Sequence, residues 1–160
     1  MLRAGWRLLA GSAAALYTAS WWLPVILVPP VFPKSPTGPP DIFYARKAIA
    51  VAFSPALDPT RPTSVVEALG QVLAVASGLT NLLFLIIIVV LIGGRVPGKR
   101  VEVAVWVAVV INLIWFGTPP NNLRVGYFFW EASFVFLALA VRGRRQVPPA
   151  TVSAPLMSAV

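Results

Sequence analysis

Charge is distributed along this chain in a way that marks out long apolar stretches. Leu8–Pro33, Ala68–Gly94 and Val103–Leu123 contain no charged side chain, and Val125–Val141 contains only Glu131. An α-helix needs roughly 20 apolar residues to cross the hydrocarbon core of a bilayer. The pattern therefore predicts an all-α integral membrane protein, a bundle of four transmembrane helices over about residues 6–27, 66–92, 101–117 and 123–141. Together residues 1–145 form the membrane domain, and residues 146–160, rich in Pro, Ala, Ser and Val, read as a disordered cytoplasmic tail.

The breaks between the stretches carry recognisable stop and start signals. Trp6 and the Trp21–Trp22 pair are spaced like two interfacial aromatic belts, roughly 23 Å apart along a helix. Pro24, Pro29 and Pro30 then loosen the first helix, so Val25–Phe32 is expected at the outer surface. Residues 29–63 form a proline-rich extracytoplasmic loop, with six prolines between Pro29 and Pro40 favouring extended backbone. Within it, Ile42, Ala45, Ile49 and Phe53 recur at helical spacing, so Asp41–Phe53 reads either as a short amphipathic surface helix or as a mixed linker. Ser64-Val65-Val66-Glu67 matches a capping box, in which hydroxyl and carboxylate satisfy orphan backbone N–H groups. Gly93-Gly94 ends the second span, and Gly117 through Asn122 ends the third.

Charge then sets an orientation. With the N-terminus inside, Arg3, Arg7, Arg95, Lys99, Arg100, Arg142, Arg144 and Arg145 fall on the cytoplasmic side. Lys34, Arg46, Lys47, Arg61 and Arg124 fall outside. Cytoplasmic flanks carry the excess of Lys and Arg, so both termini are expected in the cytoplasm of a multi-pass cell-membrane protein. A cleavable secretory signal is the rival reading of residues 1–20. Tyr17, Trp21 and Trp22 make a poor cleavage region, and the apolar run continues beyond it.

Composition changes the picture chiefly by exclusion. At 11% charged and 58% hydrophobic the chain departs strongly from soluble composition. Its net charge of +8 sits at span ends, where anionic headgroups attract it, and does not suggest nucleic acid. There is no Cys and no His, which removes disulfides, Ser–His catalysis and the common transition-metal sites; no cofactor or metal is expected. No internal repeat links the two halves.

Candidate chemistry rests on a few polar residues. An ionisable group inside a span is costly and marks a functional candidate. Reckoned from the outer side, Glu67, Gln71, Asn112 and Glu131 are expected to form one polar cluster, with Thr80 and Asn81 deeper. Its two readings are interhelical hydrogen bonding and a proton or cation site. Arg124, two turns before Glu131, is a candidate partner. Tyr127, Phe128, Phe129 and Trp130 read as an interfacial anchor. Gly11, Ala15 and Ala19 on the first helix, and Gly70, Ala74 and Gly78 on the second, form small-residue stripes that allow close helix packing. The favoured reading pairs these two helices within one subunit; the alternative is a dimer face.

The leading functional expectation is a non-enzymatic accessory or oligomeric component of a membrane assembly, with the lipid bilayer and a homo-oligomer or larger membrane protein as partners. The alternative is a proton- or cation-coupled transporter or pore formed by oligomerisation around Glu131. A lipid-modifying enzyme comes third, since no nucleophile or oxyanion donor accompanies Glu131.

Overall fold

The computed structural model describes residues 2–28, 41–44, 46–47, 50, 52–53, 64–117 and 123–147. Most of these are helical. In chain order the elements are α1 (Leu2–Ser20), β1 (Pro24–Val28), β2 (Asp41–Tyr44), α2 (Val65–Ile92), α3 (Lys99–Leu113) running into a 3₁₀ turn (Ile114–Gly117), and α4 (Val125–Gln146). Three segments are long and apolar enough to cross a membrane: Ala68–Ile92, Lys99–Gly117 and Val125–Gln146. α1 is a further helix that does not reach that measure, because its first turns carry Arg3 and Arg7.

The first helix is shorter than the expected span. A residue before proline is pushed out of the α region, so the chain exits ahead of Pro24. Trp21, Trp22 and Leu23 donate to Thr18, Ala19 and Ser20 carbonyls at 3.1–3.2 Å, tightening the last turn. Pro24–Val28 then pairs antiparallel with Asp41–Tyr44, with Leu27 opposite Ile42 and Ile26 opposite Phe43. This pair is the departure from an all-helical chain among the described residues. It occupies the first part of Asp41–Phe53, the stretch read either as a surface helix or as a mixed linker; the β-branched and aromatic residue types of Ile42–Tyr44 favour strand backbone. Helical conformation appears only from Arg46, at Arg46, Lys47, Ala50, Ala52 and Phe53. The Pro29–Pro40 run and the tail from residue 148 onward lie outside the described residues.

α2 begins at Val65, right after the Ser64 of the capping signal, and Ala68 N–H donates to the Ser64 carbonyl at 3.0 Å. The Glu67 side chain lies outside the described residues. α2 ends in a Schellman arrangement: Arg95 N–H reaches the Val90 carbonyl and Gly94 N–H the Leu91 carbonyl. Gly94 adopts φ 72°, the left-handed conformation that glycine takes without steric penalty.

α4 is central and touches α1, α2 and α3. Phe134, Leu137, Ala138, Ala140 and Val141 of α4 pack with Ala13 and Tyr17 of α1, Phe84, Ile87 and Leu91 of α2, and Val105, Ala108 and Val109 of α3. Tyr17 stacks on Phe84 with ring centroids 4.2 Å apart, and Phe84 meets Phe134 at 5.1 Å. At the β end, Arg124 N–H donates to the Val25 carbonyl at 2.9 Å. Gly126 lies hard against the strand entry: a Cβ there would sit 2.7 Å from the Pro24 carbonyl oxygen.

The small-residue stripes do not pair with each other. Gly11 and Ala15 are exposed, Ala19 is half-buried, and a Cβ added at Gly11 or Gly70 meets nothing within 4 Å. α1 instead turns its Ala13–Tyr17 face to the core. Ala74 is half-buried, and Gly78 is covered by the Phe53 ring, whose Cζ would lie 2.9 Å from an added Cβ.

Candidate functional site: a buried polar layer

The four helices each place polar side chains at one level. Tyr17, Asn81, Asn112 and Glu131 stand about eleven residues, about 16 Å of helix, from Trp6, Ile92, Val101 and Arg142 at the charged end of the bundle. Asn81, Asn112 and Glu131 are 6%, 0% and 6% exposed.

Asn81 is the first node. Its Oδ1 accepts from the Tyr17 hydroxyl at 3.0 Å and from the Trp130 indole N–H at 2.8 Å. Its Nδ2 donates to the Ser77 carbonyl, one turn back, at 3.0 Å. An indole N–H can only donate, so Trp130 fixes which way this amide points. One side chain of α2 thereby ties α1 to α4.

Asn112 is the second node. The Trp115 indole donates to Ser77 Oγ at 2.9 Å, and Ser77 Oγ donates on to Asn112 Oδ1 at 3.0 Å. The Thr80 hydroxyl lies 2.7 Å from the Ser77 carbonyl and 3.2 Å from Asn112 Oδ1, its single proton serving one acceptor at a time. The Tyr127 hydroxyl donates to the Asn112 backbone carbonyl at 2.6 Å, where α3 tightens toward its 3₁₀ turn. Ser20 and Ser133, both fully buried, satisfy themselves on carbonyls three residues back at 2.6 Å.

Against this well-paired background, three atoms of the layer stand without a partner among the described residues: Asn112 Nδ2 and both carboxylate oxygens of Glu131. Glu131 lies one turn after Tyr127 on the same face of α4. Arg124 is exposed and does not pair with it. The Glu131 side chain thus makes no hydrogen bond, whereas Asn81 uses both its side-chain atoms and Asn112 its Oδ1.

Of the four residues expected to cluster, Asn112 and Glu131 reach this buried level. Gln71 is half-buried two turns earlier on α2 and hydrogen-bonds to neither. Thr80 and Asn81, expected deeper, belong to the layer itself. Ser77, Tyr17, Trp115, Tyr127 and Trp130 were not expected in it. The spacing of Ser77, Thr80 and Asn81 on one helical face was the available signal. The aromatic run of α4 divides: Tyr127 and Trp130 turn inward to the two asparagines, while Phe128 is 48% exposed.

The donor set limits the chemistry. No three His, Cys, Asp or Glu side chains gather among the described residues. Calcium and magnesium take six or more oxygen ligands, and Glu131 is the one carboxylate at this level among the described residues. No family model matches the chain, and no curated protein or solved structure matches it.

Proposed function

We propose that this chain is a four-span cell-membrane protein with both termini cytoplasmic, in which Glu131 takes up and releases a proton or monovalent cation. The observation that carries this reading is the unpartnered state of both Glu131 oxygens at 6% exposure. An ionised carboxylate held away from water without a counter-charge is strongly disfavoured. Binding a proton or cation removes that penalty, so occupancy of the site couples to the species outside. The same absence argues against a purely structural hydrogen-bonding role.

Placement of α1 as the fourth span is supported by its packing. Its Ala13 and Tyr17 are buried against the other helices, and its Trp6 Cβ would lie 3.3 Å from a side chain at Gly143, near the end of α4. Signal cleavage would strip these contacts away. The inner orientation is supported by the gathering of Trp6, Arg7, Arg144, Arg145 and the Gly94 turn at one end.

The test is reconstitution into liposomes with a pH-sensitive dye and, separately, with Na⁺ or K⁺ indicators. Glu131→Gln should abolish ion-driven flux while leaving helicity and yield intact; flux equal to the parent rejects the reading. Orientation is read independently. The chain has no cysteine, so single Arg95→Cys and Arg124→Cys proteins should react with an impermeant maleimide from opposite sides.

A second reading, an accessory component of a larger assembly, draws on α3. One face of it is uncovered, with Val103, Val107 and Val110 53%, 51% and 59% exposed. That face suits lipid or another membrane helix. Recovery of a fixed larger partner in mild detergent, with no flux from the isolated chain, would favour this second reading.

A further inference from the structure

The charged end of the bundle carries an arrangement that the Glu131 site does not use. Two guanidiniums share one indole: Arg7 lies 5.4 Å and Arg144 5.3 Å from the Trp6 ring centroid. Arg144 is held there by a 2.9 Å hydrogen bond from Nη2 to the Gly94 carbonyl, which locks α4 onto the turn after α2. Its Nε–H has no acceptor. Arg95, Lys99, Arg100 and Arg142 are exposed around this point.

Acid is scarce there. The five acidic residues of the chain are Asp41, Asp58, Glu67, Glu102 and Glu131. Among the described residues Glu102 is the acid at this end, and it is paired with Arg145. Arg7 and Arg144 both lie against the Trp6 ring, and among the described residues no acidic side chain pairs with either. Cations gathered at one end of the bundle raise the affinity of that end for an anion. Guanidiniums present planar forks matched to phosphate oxygens, and an interfacial Trp sets them at headgroup depth.

We propose that Arg7 and Arg144, packed on Trp6, bind the phosphodiester of an anionic phospholipid of the cytoplasmic leaflet. Basic pockets between helix ends on that side are suited to acidic headgroups. The proposal rests on the membrane reading but not on Glu131. The phosphate lies at the edge of the Trp6 ring within reach of both side chains, and the acyl chains run down the exposed faces of the neighbouring helices. Arg7 is exposed and free to close on the ligand, whereas Arg144 is pre-positioned by Gly94.

The experiment is native mass spectrometry of the full chain in a non-ionic detergent, titrated with phosphatidylglycerol or with phosphatidylcholine. The expected result is retention of phosphatidylglycerol in preference to phosphatidylcholine. Each lost charge should weaken it about fivefold, so Arg7→Gln with Arg144→Gln should weaken it about twenty-five-fold. Arg124→Gln, at the opposite end, should bind like the parent. Arg7→Gln alone keeps the Arg144–Gly94 bond and guards against misfolding of the double variant; it should still show the fivefold loss. Equal retention of both lipids, or unchanged retention in Arg7→Gln, overturns the proposal. So does displacement by millimolar inorganic phosphate, which would make the site one for free phosphate. Loss of Glu131-dependent flux leaves this result untouched, and a chain that stays monodisperse without detergent would remove the membrane reading instead.

Discussion

Replacing Asn81 with leucine tests the polar layer as a structural joint. The side chain accepts from Tyr17 on α1 and from Trp130 on α4. Leucine matches much of the volume but leaves the phenol and the indole N–H without an acceptor. Interhelical hydrogen bonds in membrane proteins average about 0.6 kcal/mol each and reach about 1.7. Two of them are lost, giving about 1–3 kcal/mol, the upper part arising if the buried indole finds no substitute acceptor. Tyr17→Phe removes one donor, retains the ring stacked on Phe84, and leaves Asn81 still held by Trp130; it should cost about 0.6 kcal/mol. The two substitutions should couple, because once Asn81 is gone the Tyr17 hydroxyl has nothing left to lose. The assay is reversible unfolding in mixed micelles with increasing SDS, followed by circular dichroism and tryptophan fluorescence, on both single variants and the double. A leucine variant no less stable than Tyr17→Phe, or strict additivity in the double, would refute the three-helix joint.

Three glycine substitutions should separate by environment. Gly126→Ala drives a methyl group into the Leu23 and Pro24 carbonyls and should cost about 1–3 kcal/mol in the same unfolding assay; a neutral result would mean the strand entry does not sit on α4. Gly78→Ala meets only the tip of the Phe53 ring, a side chain that can swing away, and should cost less than Gly126→Ala. Gly11→Ala has open space and replaces a poor helix former, so it should raise stability by up to about 1 kcal/mol; a loss would expose a packed stripe on α1.

The spans were legible where turn chemistry interrupts the apolar runs. Ser64 and Gly93–Gly94 bracket α2 within a residue or so of the reading from hydropathy. The reading of α4 stopped at Val141, because hydropathy ends at Arg142. The helix continues to Gln146, since backbone hydrogen bonds do not need apolar side chains and Arg144 and Arg145 find Gly94 and Glu102. The first helix was read too long, as the apolar strand Pro24–Val28 is indistinguishable from a span by hydropathy alone. Within the polar layer, Glu131 and Asn112 stood out by rarity. Counting from the start of α2 puts Gln71 at their level, but α2 begins well beyond the level at which α3 ends and α4 begins. Side-chain partners such as Trp115 and Trp130 depend on which face each helix turns inward, and small-residue spacing did not reveal that for α1.

The helices differ in reach. α2 has 28 residues, about 42 Å, whereas α3 with its 3₁₀ turn spans about 30 Å, near a common hydrocarbon thickness. The tight Gly93–Gly98 connection keeps their lower ends level, so the surplus of α2 emerges on the far side, where Val65, Leu69 and Val72 are 76%, 64% and 67% exposed. Tilt absorbs part of that mismatch. In the membrane reading proposed above, a thick bilayer would cover these three side chains and a thin one would strand them among headgroups, so the molecule would favour the thicker of two membranes.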